Sequence, residues 1–262
     1  MSDEDNRYAF IIEAFTEVQS EMDSAHQTKP MPAQPSLSRV LADFGPMPDE
    51  ALFLGVASDE LPVLLNLYDP IPGPLLIIGE PGSGKTALLQ IIARAAERMH
   101  QTEKLQFGAV TNHPDEWSGF EETPNNIGIF PAHHRSSEDF ILSLASWAHG
   151  NKSSKQSVLL LLDDLETVSN LDIETVQNLR WLLFRGPSRR VWPIITLNSD
   201  RIQNMEAWLD MFHTRIFGHM QDPNPINKLG IKFADPASLI RGSEFTMSEG
   251  KDWLRFSIPE LD

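Results

Sequence analysis

Eight residues, Gly79-Glu80-Pro81-Gly82-Ser83-Gly84-Lys85-Thr86, limit the folds open to this chain more than any composition figure does. They follow an apolar run, Leu75–Ile78, that reads as a strand. They precede a helical pattern from Lys85 to about His100, with Leu88, Leu89, Ile92 and Ala96 on its buried side. Glycine at 79, 82 and 84 lets backbone N–H groups approach an anion closely. The helix that follows points its positive end at the same place. Lys85 adds a flexible point charge for β- and γ-phosphates, and the Thr86 hydroxyl is a hard oxygen ligand for Mg²⁺. The stretch matches G-x-x-x-x-G-K-[ST] in full, and it sits between strand and helix as that mechanism requires. ATP with Mg²⁺ is therefore the expected ligand, held by Gly79 through Thr86 and by Ala87 in the first helical turn.

A second element supports the first. Val158–Leu162 is an unbroken apolar run that ends in Asp163 and Asp164. Such a run reads as a strand buried on both faces, as in a parallel sheet. A carboxylate at its end can hold Mg²⁺, and Asp163 is assigned to that job. Asp164 then polarises the attacking water, with Glu166 as a substitute. A third strand, Trp192–Leu197, ends in Asn198, which reads either as a γ-phosphate sensor or as an ordinary turn residue. Arg185, Arg189 and Arg190 precede that strand. They read either as a solvated face or as the source of an arginine supplied across a subunit boundary. His133-His134-Arg135 lacks further ligands at metal spacing and reads as a surface turn. The six Trp residues read as core packing.

The remaining pattern alternates strand and helix. Leu52–Val56 and Val63–Leu67 form an expected strand pair. Phe107–Thr111 and Ile127–Phe130 are further strands, Ser137–His149 and Ile173–Phe184 are helices, and Trp253–Ile258 is a last strand. The order implies an α/β fold with a mainly parallel sheet. Residues 51–262 are expected to form this domain. Residues 1–50 divide into an amphipathic helix over 5–24 and a proline-rich connector at Pro30, Pro32 and Pro35. Tyr8, Ile11, Ile12, Phe15, Val18 and Met22 make the apolar stripe, which packs on the chain's own core or docks a partner. The 262 residues carry 37 acidic and 21 basic side chains, for a net charge of −16. That balance disfavours simple coating of nucleic acid. The absence of cysteine excludes disulfides and thiolate chemistry. No apolar run is long enough to span a bilayer, so a cytoplasmic protein is expected, with any membrane association through a partner.

Residues 52–86, from Leu-Phe-Leu-Gly-Val-Ala-Ser-Asp-Glu-Leu-Pro-Val through Gly-Ser-Gly-Lys-Thr, resemble the opening of the motor domain in the FtsK/SpoIIIE branch of the FtsK–HerA superfamily. Arg185–Asn198, His213-Thr214-Arg215-Ile216-Phe217 and Leu239-Ile240-Arg241-Gly242-Ser243-Glu244-Phe245 resemble later family segments, in the same order. The resemblance covers about residues 51–260. It implies a RecA-like core, a homo-oligomeric ring, expected to be a hexamer, and ATP sites between subunits. It further implies movement of double-stranded DNA, or of protein in secretion-associated relatives. Asp164 stands where the family usually has Glu, and Asn198 where it usually has Gln. An ATP-dependent switch and an AAA+ ATPase are the competing readings. The absence of a C-terminal helical lid counts against the latter, and the lack of a Leu-Ser-Gly-Gly signature counts against ABC-type ATPases.

Overall fold

The computed structural model describes residues 34–151, 155–227, 235–249 and 252–262. The stripe over residues 5–24 lies outside them. The compact unit runs from Pro35 to Asp262. Its elements are α1 (Leu37–Phe44), β1 (Ala51–Ala57), β2 (Pro62–Asn66), β3 (Leu75–Gly79), α2 (Lys85–Met99), β4 (Leu105–Thr111), β5 (Asn126–Pro131), α3 (Arg135–Gly150), β6 (Ser157–Asp163), α4 (Ile173–Arg185), β7 (Val191–Asn198), α5 (Glu206–Leu209), β8 (Thr214–Gly218), α6 (Asn224–Asn227), β9 (Glu244–Glu249) and β10 (Asp252–Ser257). A 3-10 segment follows each of β4, β6 and β7.

Among the described residues the strands form one ten-stranded sheet, ordered β2-β1-β10-β9-β8-β3-β7-β6-β4-β5. From β8 to β5 every neighbouring pair is parallel. From β8 to β2 every pair is antiparallel. The parallel centre has both faces covered, which explains why β3 and the Val158–Leu162 body of β6 are apolar and why both strands are buried at every position. Alternation sorts their side chains. Leu75, Ile77, Leu159 and Leu161 join the core beneath α2, with Leu88, Leu89 and Ile92. Leu76, Ile78, Leu160 and Leu162 join the opposite core, with Ile141 and Leu144 of α3 and Leu179 and Leu182 of α4.

α1 was not anticipated, and it lies on the N-terminal side of the division expected at residue 50. It belongs to the compact unit because Leu37 and Val40 are buried in the core beneath α2. The segment before it is pinned by the far end of the chain. Leu37 N–H donates to the Glu260 carbonyl at 2.9 Å, and Glu260 N–H donates to Pro35 at 3.0 Å. Trp117, Trp192 and Trp208 are buried, as core packing requires. No helix among the described residues is long and apolar enough to cross a membrane.

His100 ends α2 and ties it to the sheet. Its Nε2 lies 2.9 Å from the Ala51 carbonyl of β1. A carbonyl only accepts, so the neutral ring carries its proton on Nε2. Burial holds the His100 pKa below its ordinary 6.5. The unfolded chain therefore takes up the second ring proton first as pH falls. The support His100 gives the fold is complete above about pH 6.5 and is withdrawn as the pH drops from there towards the folded-state value. His100→Gln keeps a donor for Ala51. It is expected to lose less melting temperature than the parent between about pH 7.5 and 5.5. Equal losses in the two proteins would place the acid sensitivity elsewhere.

Candidate active site

The parallel register sets the C-terminal ends of four strands side by side. Gly79 of β3 pairs with Asn198 of β7, and Thr111 of β4 pairs with Asp163 of β6. Ligands of open α/β sheets bind at such ends. The phosphate loop leaves β3 there and turns directly into α2. Gly82 and Gly84 have φ of 76° and 92°, conformations that side chains disfavour. Gly84 also lacks room for a side chain, because a Cβ would stand 2.4 Å from the Gly242 carbonyl oxygen.

Lys85 folds over the loop, its Nζ donating to the carbonyls of Gly79 and Glu80 at 3.0 and 2.9 Å. Burial pulls its pKa below the ordinary 10.5, while Asp163, Asp164, Asp200 and Glu80 act in the opposite direction. The Thr86 hydroxyl lies 3.2 and 3.0 Å from the two carboxylate oxygens of Asp163. Asp163 also receives the Thr196 hydroxyl at 3.0 Å and faces that of Thr111 at 3.4 Å. Burial nonetheless pushes the Asp163 pKa up, against the bonds from Thr86 and Thr196. A buried carboxylate among hydroxyl oxygens, its charge only partly offset by Lys85, suits a hard divalent ion. No group of three or more acidic or histidine side chains among the described residues forms an all-protein metal cage. Mg²⁺ does not require one, since it takes one or two protein oxygens and completes its shell with water and phosphate. The residues therefore fit the ion expected from the sequence.

Asp164 is held in an unusual conformation. Its φ is 93°, a value that costs a non-glycine residue about 1–3 kcal/mol. Neighbours fix it there. Its N–H donates to Thr196 Oγ1 at 2.8 Å, and its carbonyl accepts the Thr167 hydroxyl at 2.9 Å. Its carboxylate accepts Glu166 N–H at 3.0 Å and Asn198 Nδ2 at 3.3 Å. Asn198 thus reaches the second acid from the neighbouring strand. Glu166 is engaged elsewhere, 3.5 Å from Arg201.

The three arginines fall at the other end of the sheet. Arg190 immediately precedes β7, roughly 26 Å along the strand from Asn198 at about 3.3 Å per residue. Its guanidinium donates to the Leu67 carbonyl at 3.0 Å and lies 4.0 Å over the Tyr68 ring. Arg189 donates to the Asn151 carbonyl at 3.4 Å. Arg185 is exposed beside the exposed Phe184. None is gathered at its own subunit's phosphate loop. His134 caps α3, its Nδ1 accepting from Ser136 N–H at 3.2 Å.

Thr196, Thr111 and Arg241 belong to this neighbourhood and were not singled out from sequence. Thr196 sits two positions before Asn198, where strand alternation alone would have pointed it to the same face. Arg241 donates to the carbonyls of Pro81 and Gly82 in the phosphate loop, and nothing local in the sequence links it to residues about 160 positions away.

No protein-family model and no curated protein matches this sequence. Solved structures do match. The cytoplasmic domain of the Thermomonospora curvata type VII secretion ATPase EccC is 13% identical with a TM-score of 0.67, over 88% of this chain and 28% of that one. The pCW3 conjugation coupling protein TcpA is 14% identical with a TM-score of 0.63, over 87% of this chain and 70% of that one. B204, the DNA-packaging ATPase of Sulfolobus Turreted Icosahedral Virus, is 11% identical with a TM-score of 0.51, over 72% of this chain and 98% of that one. This chain thus spans only about a quarter of the EccC cytoplasmic domain's length. At such identities the likeness is one of fold.

The geometry yields a test of Thr196. Its single hydroxyl serves both acids, so Thr196→Val preserves shape while removing both bonds. Turnover of ATP is expected to fall about 10- to 100-fold with nucleotide affinity nearly unchanged. A parallel fall in affinity, read by equilibrium titration, would show that the residue only supports the loop. Strand register, phosphate loop and structural likeness agree on the fold: the chain is built on the P-loop α/β fold that these solved structures share, the fold its sequence resemblance implies.

Proposed function

We propose that this chain is a Mg²⁺-dependent ATP hydrolase that works in a homo-oligomeric ring, six-membered in our reading, and drives movement of double-stranded DNA. The observation that carries the hydrolase reading is the contact of Thr86 Oγ1 with both oxygens of Asp163, beside Lys85 and at the mouth of the glycine loop. Loop N–H groups and the α2 terminus bind phosphate oxygens, and Lys85 neutralises charge on the transferred group. Thr86 and Asp163 would hold Mg²⁺, which would supply further positive charge at the phosphates. Asp164 orients water. Each of its carboxylate oxygens accepts one bond from the protein and retains a lone pair for a water proton. Asn198 keeps that carboxylate aimed. The structure of TcpA, which shares the fold, is described with ATPγS.

The DNA reading draws on the resemblance described above and on the fold shared with a packaging ATPase. A protein cargo is the second reading, favoured by the net charge of −16 and by the fold shared with a secretion ATPase. The stripe over residues 5–24 is the segment we propose for a protein partner.

Steady-state hydrolysis with and without long double-stranded DNA tests both. Lys85→Ala is expected to reduce turnover about 10²–10³-fold. DNA is expected to raise the turnover of the parent at low salt, with stimulation fading as salt rises. Undiminished nucleotide affinity and turnover in Lys85→Ala would end the ATP reading. DNA-indifferent turnover would transfer the assignment to a protein cargo. Among the arginines, Arg185 is the exposed candidate for action in a neighbouring subunit. Arg185→Ala is expected to lower turnover of the assembled oligomer about 10³-fold without changing nucleotide affinity, and unchanged turnover would remove it from the mechanism.

A further inference from the structure

The phosphate loop is gripped from outside by a second segment of the same chain. Arg241 Nη2 donates to Pro81 O at 2.5 Å, and Nε lies 3.4 Å from Gly82 O. The guanidinium covers Gly82 so closely that a Cβ there would stand 3.2 Å from Nη2. Gly242, the next residue, backs directly onto Gly84. The loop also carries a carboxylate. Glu80 Oε1 lies 3.7 Å from Arg241 Nη2 and 3.4 Å from His219 Nε2, while Oε2 accepts Gln221 N–H at 3.2 Å. His219 is fixed by its Nδ1, 2.9 Å from the Leu239 carbonyl, and its own carbonyl accepts Glu80 N–H at 3.2 Å.

We propose that Arg241 reads the γ-phosphate from within the same subunit, releasing or sharing its loop carbonyls when a triphosphate is bound. This rests on the ATP reading above and adds a residue to that site. Charge and exposure are the argument. The Arg241 side chain is 55% exposed, whereas a guanidinium whose task is to brace a loop is best buried. Its present partners are two neutral carbonyls and a loosely placed carboxylate that His219 also faces. Guanidinium has five donors in a planar fork suited to phosphate, and the carbonyls occupy two of them. A triphosphate in the loop brings a stronger anion within a short swing of Gly82. It also crowds Glu80, whose charge then needs compensation from the same side. Arg241 sits between these two anions. The preceding residue ties this segment to β9, as Ile240 N–H bonds to Glu244 Oε2 at 2.7 Å at the start of that strand.

The test is equilibrium binding of fluorescent ATPγS and ADP analogues to the full chain with Mg²⁺, for the parent, Arg241→Ala and Arg241→Gln. The Ala variant is expected to lose about tenfold or more in ATPγS affinity while ADP affinity stays within about twofold, as for loss of a charged hydrogen bond to one phosphate. The Gln variant keeps an amide donor for the loop carbonyls and carries the test if the Ala variant does not fold. It too is expected to lose the preference for ATPγS. Equal weakening towards both nucleotides would make Arg241 a brace for the loop and overturn the proposal. So would an unchanged preference in a folded variant. A parent protein that binds neither nucleotide would overturn this proposal and the ATP reading together, whereas normal parental binding with unaltered variants overturns this proposal alone.

Discussion

A carboxylate placed under the surface of a protein is unfavourable unless it is met by donors or a cation, and Asp163 is placed there deliberately by a strand buried along its whole length. Its donors arrive from three separate elements: Thr86 from α2, Thr111 from β4 and Thr196 from β7. Each depends on something larger. Thr86 is in place only if the glycine loop turns correctly into its helix. Thr111 and Thr196 are in place only if the neighbouring parallel strands keep register with β6. The raised pKa of Asp163 shows that hydroxyls alone leave the charge undercompensated. That residual demand for positive charge is the ground on which Mg²⁺ is proposed at this position.

The parts of the chain that were legible are those whose signal is local. The phosphate loop is contiguous, and its strand and helix adjoin it. β6 and β7 are central parallel strands, so their continuous apolar character survives without knowledge of their partners. Asp163 and Asp164 follow from position at the end of such a strand. The antiparallel half was less legible. β8 is five residues long with only its last three buried, and Glu244 and Glu249 bracket β9. α1 was hidden behind prolines that read as a connector, because its apolar stripe has meaning only against a core formed by residues far along the chain. Arg241 is the extreme case, since a side chain that closes on a loop roughly 160 residues earlier leaves no periodic trace.

The arginines before β7 show a different limit. Their clustering was visible, but clustering does not say which end of a parallel strand a residue occupies relative to a site. The topology does. With β3 and β7 parallel, residues preceding β7 are held at the opposite end from the phosphate loop. Arg189 and Arg190 have ordinary structural partners in their own chain, whereas Arg185 is exposed beside Phe184.

β8 is the seam between the two halves of the sheet, parallel to β3 on one edge and antiparallel to β9 on the other. Within the sheet, a pull exerted on β9, β10, β1 and β2 reaches β3 through it, beside the tethers that Arg241 and His100 make outside the ladder. Four register pairs join β8 to β3, and three join it to β9. A tug along the strands shears these bonds together, whereas a tug across them opens one after another. Across this seam the sheet is therefore mechanically asymmetric, stiff to force in one direction and yielding in the other, and of its two ladders the shorter would part before the longer.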